Sequence, residues 1–306
     1  MSWLPCPEPD AHEPGSPGPV DIVIEPVSKD LGGFSVRRVL PNLRRRTVGP
    51  FIFLDHMGPA ILPAGRGIDV RPHPHIGLAT LTYLTDGSMF HRDTLGNAEE
   101  ILPGAVNLMV AGRGIAHSER SSDASRAHEE RVQGIQSWLA LPRAAEETGP
   151  GFTHAPVGDL PFLEDAGVAL RLILGSLFGE TSPVPTPSAT VYADAWMQAG
   201  SAIQFPADHA ERAVYIIDGE VEIGNDAFVQ HRLLAFRPGD AVTIRARAAS
   251  RVLLLGGEPL DGERHVWWNF VSSSRDRIEA AKADWTAGRF GVVPGDEQEF
   301  IPLPSI

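Results

Sequence analysis

Arg71-Pro72-His73-Pro74-His75-Ile76-Gly77 sets two histidines two residues apart. That spacing matches the period of a β-strand, so both imidazoles leave on one face. Further on, Gly114-Ile115-Ala116-His117-Ser118-Glu119 places a histidine and a carboxylate at the same interval. Imidazole nitrogen is a borderline ligand suited to iron, zinc, nickel and copper. Either pair alone reads more simply as polar alternation on a solvated strand. Together, with apolar strands and turn signals between them, the pairs point to a metal site. His73, His75, His117 and Glu119 are expected to close on one metal if their strands pair in a barrel.

Outward from these pairs the chain reads as short strands. Val20-Asp21-Ile22-Val23-Ile24 and Phe34 to Leu40 come first, then Phe51 to Leu54, which ends at Asp55-His56. His56 has no partner two residues away and is read as a structural residue near the site. Ala79 to Leu84 is rich in β-formers. Asp86-Gly87 is a hairpin signal, and Ser88 to Asp93 returns, carrying His91. His91 has two readings, an ordinary strand histidine or a group that supports a ligand or faces a substrate. Pro103-Gly104 turns the chain into Val106 to Val110, and Gly134 to Leu141 completes the unit. Short strands at this spacing, without intervening helices, predict an all-β sandwich or barrel.

Pro142 to Gly151 is charged and turn-rich and reads as a boundary. Beyond it the plan repeats. Ala213 to Gly219 echoes Leu81 to Gly87, and Arg237 to Val242 echoes Leu102 to Asn107. The ligands do not repeat. The corresponding positions hold Phe205, Ala207, Val252 and Leu254. Asp208, His209 and Glu211 sit elsewhere in the repeat and read as a solvated loop. Ser272-Ser273-Ser274 supplies helix N-cap candidates. Ile278, Ala281 and Trp285 then follow at helical spacing until Gly288. Trp267-Trp268-Asn269-Phe270 reads as core.

The 306 residues suit two domains. A hydrophobic share of 42% with 21% charged residues describes a globular chain, and 31 glycines with 27 prolines favour many turns. With 26 basic against 39 acidic residues the net charge is −13, which argues against a duplex-binding surface. Arg44-Arg45-Arg46 is read as a solvated turn. One cysteine, Cys6, excludes an internal disulfide and fits a reducing compartment, so a cytoplasmic location is expected. No apolar run approaches the ~20 residues of a membrane span. Residues 1–17, rich in proline and acids, read as a disordered tail rather than a secretory signal.

Gly49 to Gly58, Arg71 to Gly77 and Ala111 to Glu119 together resemble the pirin family of bicupins, a likeness that runs from about Val20 to the end. The resemblance implies two tandem cupin barrels of the jelly-roll type, followed by a short C-terminal α-helix. The expected units are a metal-binding barrel over 18–143, a barrel without metal ligands over 150–262 and a helical segment over 263–306. In that family the positions matching His73, His75, His117 and Glu119 bind one divalent metal, usually iron. A set without thiolate suits non-haem iron more than structural zinc.

Pirin relatives show flavonol (quercetin) 2,3-dioxygenase activity. The resemblance therefore implies a dioxygenase acting on a small aromatic substrate with O2, in which Glu119 accepts the flavonol proton. Some relatives instead act as regulators, so the alternative is a non-catalytic iron-binding protein with a protein partner. Barrels of this type host many functions, and the fold alone does not decide between the two.

Overall fold

The computed structural model describes residues 7–15, 17–30 and 35–305. Each half of the chain builds one barrel from two antiparallel sheets. In the first, Leu78–Asp86 lies between Val106–Val110 and Glu130–Ala140, with Phe51–Leu62, Ser35–Leu40 and Val27–Asp30 continuing the sheet. Opposite it, Asp69–His75, Ile115–Arg120, Met89–Asp93 and Ala98–Ile101 pair in that order. The second barrel follows the same plan. Glu211–Asp218 lies between Leu233–Phe236 and Ser250–Gly257, and a facing sheet runs Ala202–Phe205, Val242–Ala246, Glu220–Ile223, Asp226–Val229. The internal repeat read from the two Asp-Gly hairpins is thus a repeat of strand order.

The two barrels exchange edge strands, which shifts the expected units at both margins. Val20–Glu25, expected at the start of the first barrel, pairs with Leu233–Phe236 of the second. Gly151–Ala155, expected at the start of the second, pairs with Val106–Val110 of the first in register Met109 to Phe152. Each covers an edge that would otherwise present unpaired N–H and C=O groups. The tail also differs from its expectation, because Asp10–His12 pairs with Val23–Glu25. Once Val20–Glu25 has joined the second barrel, its outer edge is free to take one further strand. Residues 1–6 and Ser16 of that expected tail lie outside the described residues, as does Phe34.

One apolar core runs through both barrels, joining Phe51, Leu81 and Tyr83 to Tyr192, Tyr215 and Leu253. A second fills the interior of the C-terminal barrel and contains Phe205, Val252 and Leu254. Three of the positions corresponding to the first barrel's ligands are therefore buried hydrocarbon, and Ala207 is exposed. Asp208 and His209 lie in a loop as expected, but Glu211 begins a strand. Its carboxylate accepts the Gly49 N–H at 2.7 Å, which ties one barrel to the other.

The expected helix is Arg275–Thr286, with Ser274 at the N-cap and Gly288 at φ +70° just past its end. Twelve residues are marginal as an isolated helix, so packing must hold them. Ile278, Ala281 and Trp285 bury themselves with Trp268, Phe270, Ile76 and Ala116. Ile76 and Ala116 are the chain neighbours of His75 and His117, so the helix braces the outer face of the strands that carry the histidines. Gly77 lets this happen. A side chain at its φ of +66° would place Cβ 1.9 Å from the carbonyl oxygen of Val271. A four-residue helix at Asp123–Arg126 has no counterpart in the sequence reading. Among the described residues no helix is long and apolar enough to cross a membrane.

Candidate metal centre

Asp69–His75 and Ile115–Arg120 pair antiparallel with His117 opposite His73 and Ile115 opposite His75. The alternation of each strand turns His73, His75 and His117 into the barrel. Their ring centroids lie 4.5 to 5.0 Å apart. One ligand nitrogen from each lies within 4.8 Å of the others. All three are buried, and burial pushes each imidazole down, His73 to about 3 and the other two well below the usual histidine range. They are neutral, the form that ligates a metal.

The hydrogen bonds sort the ring nitrogens into held and unheld. His73 Nδ1 donates to the carbonyl oxygen of Arg71 at 2.8 Å, while its Nε2 is buried without a partner. His117 Nδ1 meets His91 Nδ1 at 3.3 Å, and its Nε2 is likewise without a partner. Neither nitrogen of His75 has a hydrogen bond of good geometry, although the backbone of Asn269 lies beside the ring. Buried polar atoms are seldom left unsatisfied. Three converging imidazoles with orphaned nitrogens fit a metal cation.

Glu119 is placed differently from its three expected partners. It is buried on the same face of the same strand, but it lies outside the close set of ligand atoms. Between His117 and Glu119 the pairing slips, so that Glu119 faces Val70 rather than Arg71 on one neighbouring strand, and it faces His91 on the other. The hydroxyl of Thr82, from the facing sheet, donates to Glu119 Oε1 at 3.4 Å. The same single hydroxyl proton is shared with Gln136 Oε1, which lies nearer at 2.9 Å. Asn107, Thr82 and Gln136 are cross-strand neighbours in one row. Gln136 Nε2 and Asn107 Nδ2 are buried donors without partners.

His56 and His91, the two accessory candidates, separate. His56 Nδ1 bonds the Tyr215 hydroxyl at 2.9 Å and its Nε2 meets Gln133. The Tyr215 bond links the barrels, and both ring nitrogens are engaged away from the trio, in keeping with a structural residue. His91 instead touches His117, and its Nε2 lies 3.0 Å from Asp93 Oδ2. Burial pushes the Asp93 carboxyl up, but hydrogen bonds from His91 and Asn97 outweigh it and hold the group below the usual range. Asp93 was not among the candidates, although His91-Arg92-Asp93 has the same alternate spacing as His117-Ser118-Glu119. A wall of rings closes the site, with Trp138 edge-on to His75 at 5.3 Å and stacked on Phe53 at 4.3 Å. His209, in the second barrel, lies 3.9 Å from Glu258.

Known proteins resemble both halves of the chain. The pirin family model matches residues 33–139, and that for the pirin C-terminal cupin domain matches residues 192–291. A pirin-like protein of Caulobacter vibrioides is 49% identical over 93% of this chain and 99% of its own. Pirin-1 of Arabidopsis thaliana is 31% identical over 88% of this chain and 93% of its own. The crystal structure of a quercetin 2,3-dioxygenase from Acinetobacter baumannii superposes with a TM-score of 0.86 at 33% identity, covering 93% of this chain and 95% of that one. Both halves of the chain are matched, and nearly its whole length aligns with relatives of that name: the chain belongs to the pirin family of bicupin proteins.

Proposed function

We propose that the chain is a metal-dependent dioxygenase that opens flavonols such as quercetin with O2. The observation that carries this reading is the trio of buried neutral imidazoles whose free nitrogens converge beside a buried carboxylate. The similarity to a protein titled quercetin 2,3-dioxygenase supports the same reaction class. His73, His75 and His117 would hold one Fe(II), with Glu119 as the fourth ligand. When bound, iron supplies Lewis acidity and a redox couple suited to O2 chemistry.

The chain's own groups do the rest. Glu119 accepts the proton that a flavonol 3-hydroxyl must lose, and Thr82 orients the carboxylate for that transfer. Gln136 Nε2 and Asn107 Nδ2 offer unpaired donors to the oxygens of a polyphenol. Phe53 and Trp138 exclude water on the His75 side. The single cysteine and the acidic balance fit a cytoplasmic enzyme that does not bind nucleic acid.

Oxygen uptake by Fe(II)-loaded protein tests the proposal. Quercetin should trigger uptake of about one O2 per flavonol consumed, and removing the metal with a chelator should abolish it. Protein that carries its metal yet leaves quercetin untouched would contradict the enzyme reading. It would favour instead the role of a regulator acting through a protein partner.

A further inference from the structure

We propose that a cavity beside the Phe53–Trp138 stack binds a planar aromatic carboxylate. The proposal stands apart from the metal reading, because nothing in the cavity calls for a metal. The cavity measures about 680 Å³, within the ~300–1,000 Å³ of small-molecule sites. It lies between residues 41–47, residues 260–267 and the Arg275–Thr286 helix. Its apolar wall is aromatic, made by Phe53, Trp138 and Trp267 with Ile52 and Leu260 beside them. Trp267 belongs to a run read as core, and its neighbours Trp268 and Phe270 are buried, yet Trp267 itself is only half-buried. Lys282 Nζ lies over its ring, 4.0 Å from the centroid. Trp138 is shared, lining this cavity and standing edge-on to His75. Its indole N–H is a buried donor with no acceptor, and an oxygen on an incoming ligand would satisfy it.

The Arg44-Arg45-Arg46 run supplies charge. Arg44 pairs with Glu13 and Arg45 with Glu211. Arg46 lines the cavity and has no ion pair or hydrogen bond among the described residues. Arg275, at the start of the helix, also lines it and is equally unpaired. The other charges at the cavity are engaged. Arg264 is taken by Glu146 and Asp261, and Lys282 by Glu279. Glu263 lies 3.8 Å from His265, and Glu8 accepts the Leu43 N–H at 3.4 Å. Two unpaired guanidiniums set against these last two carboxylates suit a ligand with one negative charge rather than two. The aromatic wall asks for a flat apolar body. An aromatic carboxylate meets both demands, and a phosphate meets neither.

Calorimetry on metal-free protein tests the site, with 2-naphthoate as the probe and 2-naphthamide as its neutral analogue of the same shape. The proposal predicts saturable binding of the carboxylate, at least about fivefold tighter than that of the amide. The double variant Arg46→Gln, Arg275→Gln should lose about tenfold toward the carboxylate and bind the amide as the parent does. Both arginines are exposed, so these changes leave the packing intact. Trp267→Ala should weaken both probes, since it removes wall and not charge. Loading the parent with Ni(II) should not change its affinity for the carboxylate. No binding of 2-naphthoate at about 1 mM, or equal affinity for the amide, overturns the proposal. So does a double variant that binds the carboxylate as tightly as the parent, or a Trp267→Ala protein that binds both probes as the parent does. Binding that appears only with Ni(II) overturns it as well, because the carboxylate would then sit on the metal.

Discussion

Replacing His117 with alanine is expected to take metal content from about one ion per chain to under about a tenth of one after dialysis. His117 stands opposite His73 at the centre of the paired strands, and its Nε2 is one of the orphaned nitrogens. Losing it leaves two imidazoles and the proposed Glu119 carboxylate, and breaks up the close trio. Supporting groups around a ligand already change affinity by about 10- to 100-fold, so removing the ligand itself should cost more. His73→Ala should behave alike, and circular dichroism would confirm that both variants fold. His209→Ala is the control and should keep its metal, because His209 lies in the second barrel beside Glu258. Its interior, with Phe205, Val252 and Leu254, offers hydrocarbon where ligands would have to be. Elemental analysis of the three variants checks the claim. Two metals per chain, or metal loss on changing His209, would contradict an apolar and metal-free second barrel.

Glu119→Gln is expected to lower oxygen uptake with quercetin by about 100-fold or more while metal content falls far less. The carboxylate is the anion of the proposed ligand set and the base proposed for the flavonol hydroxyl. Glutamine keeps the size, and it keeps an oxygen that can accept from the Thr82 hydroxyl. It removes the charge and the basicity. The carboxylate already lies outside the close set of histidine nitrogens. Its loss should therefore touch proton transfer more than metal retention. Uptake rates compared at matched iron content separate the two effects. A fully loaded Glu119→Gln protein that works as fast as the parent would show that Glu119 is neither base nor tuner.

The histidine trio was legible in the sequence because strand alternation is local. His73 with His75, and His117 with Glu119, each announce one face without knowledge of a partner strand. That the two pairs meet depends on register between strands some forty residues apart, and the turn signals between them made that pairing plausible. The displacement of Glu119 was not legible. The slip in pairing between Val70 and His73 was not legible either, because it is a property of two strands and not of one. The same holds for the exchanged edges. Val20–Glu25 reads as a strand from its own residues, but nothing in them says that Leu233–Phe236 is its neighbour. The C-terminal helix was legible from Ser274, Ile278, Ala281 and Trp285, because caps and helical spacing are local as well.

The central claim is that one buried histidine set in the first barrel holds the metal. Anomalous diffraction from crystals of the metal-loaded protein, collected at the metal's absorption edge, tests it most directly. The account predicts a single strong peak among the facing nitrogens of His73, His75 and His117, and none inside the second barrel. A peak elsewhere in the chain, or none among these histidines in protein shown to carry metal, would contradict it.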